Sequence, residues 1–175
     1  MTKSAWWACG AVVVLAGCSG AGRSSAARDF SLRDANGAEV GTVTLQPAGA
    51  NTRVMVHVRG MTPGQHGTHL HQVARCEAPG FTTAGGHWNP TSKQHGWSNP
   101  QGHHVGDLPN MTVEADGTGM MDFTVPAPFA AGPNSIFDAD GSALVVHAAP
   151  DDNKTDPSGN SGARVACAAL TAAGS

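Results

Sequence analysis

Residues 52–59, TRVMVHVR, set the pattern for most of the chain. Val54, Val56 and Val58 alternate with Arg53, Met55 and His57, so one face is apolar and the other is not. A period of two marks a half-buried strand, whose side chains point to opposite faces in turn. Similar short runs occupy 30–33, 38–45, 68–72, 111–115, 120–125, 144–147 and 164–170. Ala35-Asn36-Gly37 and Ala115-Asp116-Gly117 supply the tight turns that join neighbours into hairpins. No window sustains a helical period. The pattern predicts an all-β domain, an eight-stranded Greek-key β-barrel or sandwich. Two connections are too long for hairpins, 72–110 and 148–163, and long loops on a rigid β scaffold usually carry function.

Composition narrows the options. At 175 residues, one domain with an N-terminal extension is expected. Charged residues are 13% of the chain and the net charge is -3, so no basic surface points to nucleic acid. Tyrosine is absent, which removes tyrosyl chemistry. At the N-terminus, Lys3 precedes an apolar stretch over 5–16, and small residues lead to Cys18. This reads as a secretory signal peptide, too short to span a membrane as a mature helix. Leu15-Ala16-Gly17-Cys18 resembles a bacterial lipoprotein box, which implies cleavage after residue 17 and a lipid anchor on Cys18. Residues 18–28 read as a flexible tether and 29–171 as the folded domain. The location expected is then the cell envelope: periplasmic and membrane-anchored. Cys76 and Cys167 remain as one pair in an exported protein, where disulfides persist.

The densest chemistry is imidazole. Of nine histidines, seven lie between positions 66 and 104. His69 and His71 form H-x-H on an expected strand, so both rings share one face and can reach one ion. His147 ends ALVVH and offers a third ring from a neighbouring strand; an all-imidazole site suits copper or zinc. His87, His95, Asp107 and one of His103 and His104 lie in loop and can close a tetrahedral zinc site with no open water position. Such a site would be structural, ordering a loop with little core of its own. His57 reads as a strand-face residue rather than a ligand.

HGTHLH, GGHWNPTSKQHG, HHVGDLPN, LVVHAAPDD and GNSGARVAC, in that order along 29–171, resemble the copper–zinc superoxide dismutases, in their bacterial lipoprotein form. The resemblance implies copper held by His69, His71, His87 and His147, and zinc held by His87, His95, His104 and Asp107. His87 would be the imidazolate bridge, and His104 is chosen over His103. Asp151 matches the carboxylate that links His69 to His95, and His66 a histidine that buttresses the copper site. Arg164 matches the arginine beside copper, a permanent charge for a small anion, and Cys76–Cys167 the intramolecular disulfide.

The activity so implied is dismutation of superoxide to oxygen and hydrogen peroxide by redox-cycling copper, with His87 able to store a proton. The residues leave the assembly open between a monomer and a homodimer. Electrostatic focusing of the anion is thinner than the activity would suggest: loop 148–163 has Lys154 as its only basic residue, against Asp151, Asp152 and Asp156, which leaves Arg164 and Lys93. The alternative is a non-enzymatic exported module that stores or delivers copper or zinc. Arg164 serves an anion rather than storage, and the scattered methionines read as packing residues. An inactive structural relative would lack ligands, and none is missing.

Overall fold

The computed structural model describes residue 1 and residues 27–172. The expected signal peptide beyond Met1, Cys18 and nearly all of the expected tether lie outside the described residues. Nine strands follow one another: β1 (Arg28–Asp34), β2 (Glu39–Ala48), β3 (Asn51–Val58), β4 (Gly64–His66), β5 (Thr68–His71), β6 (Met111–Val113), β7 (Gly119–Val125), β8 (Ser142–His147) and β9 (Arg164–Leu170). One short 3-10 turn, Thr82–Ala84, lies in the first long loop. Arg28, placed in the tether by sequence, opens β1 and donates to the carbonyl of Ala172 at 2.8 Å.

All the strand pairs are antiparallel, in the order β4-β6-β7-β3-β2-β1-β9-β8-β5. The sheet curls into a nearly closed barrel, and β3 pairs with β7 while β1 pairs with β9, the long-range crossings of a Greek key. Eight strands stand where the alternation places them. The ninth, β4, is the difference: three residues with glycine at one end are too few for a period to register.

The turns form for local reasons. At the β1–β2 hairpin, Asp34 Oδ1 accepts the backbone N–H groups of Asn36 and Ala38, both at 2.9 Å, and Gly37 takes the positive φ. Phe30, Leu32, Val43, Leu45, Val54, Val56 and Val58 all point into the barrel core, as the alternation predicts.

Every residue of β5 and β8 is buried, on both faces. Leu70, Leu144 and Val146 fill the barrel interior. Ala143 and Val145 face outward and meet a satellite cluster of Phe81, Ala84 and Cys167, supplied mainly by the first long loop. The two long loops lie over this wall, and the histidines are buried beneath them.

Candidate metal centre

His69 and His71 project from the outer face of β5, with Leu70 between them turned into the core. His147 ends β8, where the register with β9 shifts between Val146 and His147; such bulges re-aim a side chain. His87 reaches the same place from the loop, through an isolated bridge to His71. Ligand atoms of these four histidines lie within 4.8 Å of one another.

One nitrogen of each ring is engaged. His69 Nε2 meets Asp151 Oδ2 at 2.7 Å, and His71 Nδ1 donates to the Gly85 carbonyl at 2.9 Å. His87 Nδ1 meets Asp107 Oδ1 at 2.8 Å, and His147 Nδ1 donates to the Gly162 carbonyl at 3.2 Å. The other nitrogens, His69 Nδ1, His71 Nε2, His87 Nε2 and His147 Nε2, are buried without a partner. Buried polar atoms left unpaired are costly, and here four converge. Burial pushes His71 down to about 2, His147 to about 3 and His87 to about 4, so their lone pairs stay available. Four neutral imidazole donors fit copper.

The second cluster shares His87. The Nδ1 atoms of His87, His95 and His104 lie 2.8, 3.0 and 3.1 Å from a single oxygen, Asp107 Oδ1. Three nitrogens and a carboxylate crowded together match the donor set of a closed zinc site. Asp107 Oδ2 accepts the backbone N–H groups of Gly96 and His104, which fixes the carboxylate. Burial opposes charge on Asp107, yet hydrogen bonds from His104, His87 and His95 hold it far below the usual carboxylate range. For His95, burial works against the proton, but Asp107 and Asp151 outweigh it and push the ring up to about 9.

Asp151 bridges the clusters, with Oδ2 on His69 and Oδ1 3.0 Å from His95 Nε2. Asn110 clamps the Asp151 backbone from both sides, at 2.8 and 2.9 Å. Gly159 takes a φ of +62° beside it, and a Cβ there would collide with the Asp151 carboxylate. His66, from β4, spans the carbonyls of His147 at 2.6 Å and Thr62 at 2.8 Å. Thus Asp151 and His66 hold ligands in place rather than offering free donor atoms. His103 stacks on Trp97 at 3.5 Å and is not in either cluster, and His57 is exposed on β3.

A cavity of about 410 Å³ opens over the first cluster, lined by His71, His87, His147 and Arg164 among others. Arg164 donates to the carbonyls of Phe81 and Gly85, both at 2.7 Å. Those carbonyls sit in the loop that the Cys76–Cys167 disulfide ties to β9, with Cα atoms 5.6 Å apart. Among the described residues Arg164 is the only Lys or Arg lining the cavity; Lys93 and Lys154 do not reach it. Sequence reasoning missed the supports: the carbonyls of Phe81, Gly85 and Gly162, and the amide of Asn110. Backbone carbonyls carry no residue-type signal, and one asparagine gives no pattern.

A family model described as Copper/zinc superoxide dismutase (SODC) matches residues 39–170. A superoxide dismutase [Cu-Zn] of Caulobacter vibrioides is 38% identical over 143 residues, spanning 79% of this chain and 82% of that protein. A solved SOD-like protein from Bacillus subtilis superposes with a TM-score of 0.78 at 37% identity, covering 82% of this chain and 97% of the other. The Cu/Zn superoxide dismutase from Brucella abortus gives a TM-score of 0.64 at 30% identity, covering 83% of this chain and 99% of the other. With both ligand clusters complete, the chain belongs to the copper/zinc superoxide dismutase family.

Proposed function

We infer that this chain is an enzyme that dismutates superoxide, oxidising one anion to oxygen and reducing the next to hydrogen peroxide. The observation that carries this is the convergence of four unpaired buried nitrogens beneath a cavity that also presents Arg164. His69, His71, His87 and His147 would hold copper, and His87, His95, His104 and Asp107 would hold zinc. Copper held by the first set would supply reversible one-electron exchange, and zinc held by the second would fix the loop.

The chain's own groups handle charge and protons. Arg164 is anchored by two carbonyls, which leaves further N–H donors and a full charge for a small anion. Its half-buried position strengthens that attraction relative to open water. His87 faces one cluster with Nε2 and the other with Nδ1. When Nε2 is free it can hold a proton and give it up within the cavity, where peroxide formation needs it. Asp151 keeps His69 and His95 from rotating, and His66 braces the His147 backbone.

The test is superoxide decay catalysed by protein loaded with copper and zinc, against protein loaded with zinc alone. Fast, copper-dependent decay supports the enzyme. Tight binding of both metals without decay beyond the control returns the storage or delivery module.

We further propose that the mature protein is exported, lipid-anchored at Cys18 and held at the membrane on its periplasmic side. The apolar stretch over 5–16 and the Leu15-Ala16-Gly17-Cys18 sequence support this, as does a disulfide suited to an oxidising compartment. Radiolabelled fatty acid should be incorporated by the native chain and lost in Cys18→Ser. Sedimentation equilibrium decides between a monomer and a homodimer, which the resemblance leaves open.

A further inference from the structure

The outer face of β3 and β7 holds donors that neither metal cluster uses. Inward positions of β3 are Val54, Val56 and Val58, so Met55 and His57 face outward together. Across the ladder, His57 pairs directly with Met120 and Met55 with Asp122. Directly opposed residues have Cβ atoms about 5 Å apart and diagonal ones about 7–8 Å, which a methionine with three rotatable bonds can span. Met55, His57 and Met120 therefore form one triangle on one face.

The surroundings sharpen its chemistry. Asp122 is occupied by a two-pronged ion pair with Arg53, and Thr42 and Thr44 lie on the β2 side. The donors left between these pairs are two thioethers and an imidazole. Met120 exposes 66% of its surface, where an apolar side chain gains nothing from burial. Thioethers bind hard or borderline divalent ions poorly and select soft monovalent ones such as Cu(I). In the sheet, β2, β1 and β9 separate this pair of strands from β8 and β5, which carry His147, His69 and His71. The triangle shares no residue with either histidine cluster.

We propose that Met55, His57 and Met120 form a second, peripheral site for a soft monovalent cation, cuprous ion being the natural occupant. It is independent of the catalytic reading, because none of its residues touches either cluster or the cavity. Packing, the reading their sequence suggested for the methionines, accounts for Met111 and Met121 but not for these two on the outer wall.

The experiment uses protein already loaded with copper and zinc, with Ag(I) as an air-stable probe of the same charge and softness, in chloride-free buffer. Silver uptake is counted by elemental analysis, and methionine methyl resonances are followed by carbon-13 labelling. The expected result is one silver per chain, with the Met55 and Met120 methyl signals shifting together while those of Met61, Met111 and Met121 stay. Loss of even a ligand's hydrogen-bond partner costs a metal site about 10–100-fold in affinity, so Met55→Leu or Met120→Leu should weaken silver binding at least about tenfold. Leucine keeps the volume, so the fold persists, and superoxide decay should be unchanged. Unshifted Met55 and Met120 signals at stoichiometric silver would overturn the site. Equal uptake by the Met55→Leu/Met120→Leu double variant would overturn it too.

Discussion

The two metal half-sites are built by different means. His69, His71 and His147 stand on β5 and β8, whose every residue is buried and whose inner side chains belong to the barrel core. Their positions are fixed by packing that exists without any ion. His95, His104 and Asp107 sit in loop, and between Trp88 and Leu108 they are the only buried side chains beyond glycine. Apart from Val105, which leans on the barrel core, and Trp97, which packs on Phe123, the interior of that stretch is the ligand set. The redox half is therefore carried on rigid strands, and the other half is expected to take much of its order from its metal, as small metal-bound segments do. The first half of the same loop is different again, held by the disulfide and the Phe81–Ala84–Cys167 cluster.

Ligand deletions should break this comparison most sharply. His147→Ala is expected to reduce superoxide decay to the level of the zinc-only protein while leaving circular dichroism and strand protection intact. His104→Ala should instead lose zinc and open residues 89–106 to proteolysis, with part of the copper-dependent activity surviving. Equal outcomes for the two would erase the distinction.

Cys76→Ser removes a link across a sequence separation of 91 residues, worth about 4–5 kcal/mol in the chain-entropy account. It should lower the melting temperature, speed proteolysis within 72–110, and depress activity, because the carbonyls that aim Arg164 ride on that loop. Arg164→Ala should cost about 1.5–3 kcal/mol of charge-assisted binding, roughly 10–100-fold in kcat/KM. Copper content should not change, and Arg164→Lys should fall between. With Arg164 the only Lys or Arg lining the cavity among the described residues, the rate should also depend weakly on salt.

The loop over 148–163 offers the smallest and most local test. Hydrogen bonds from Thr155, then Lys154 and Asn160, hold the exposed Asp152 carboxyl down at about 2, from an ordinary 3.8. A depressed carboxyl stabilises the fold above its ordinary value and loses that contribution as pH falls through the folded one. Protection of the Lys154 and Thr155 amides should therefore drop between pH 4 and pH 2. Asp152→Asn should flatten that drop.

Much of this was legible in the chain. Alternating valines in 52–59 fixed both the strand and the outward side of His57, and H-x-H placed two rings on one face because the strand period is two. The loop-borne ligands were readable only as residue types; spacing left His103 and His104 open, and the structure separates them by stacking His103 on Trp97. Strand β4 escaped because three residues hold no period. The carbonyls that orient His71, His147 and Arg164 escaped because every residue has one. What the residue types could announce was the chemistry, whereas the aim of each group depended on backbone brought together across the fold.

The most direct measurement is hydrogen exchange on the metal-free, zinc-loaded and copper–zinc forms, compared segment by segment. The account predicts that β5 and β8 are equally protected in all three, while 89–106 gains protection only when zinc binds. Full protection of 89–106 without metal, or strands that order only with copper, would contradict it.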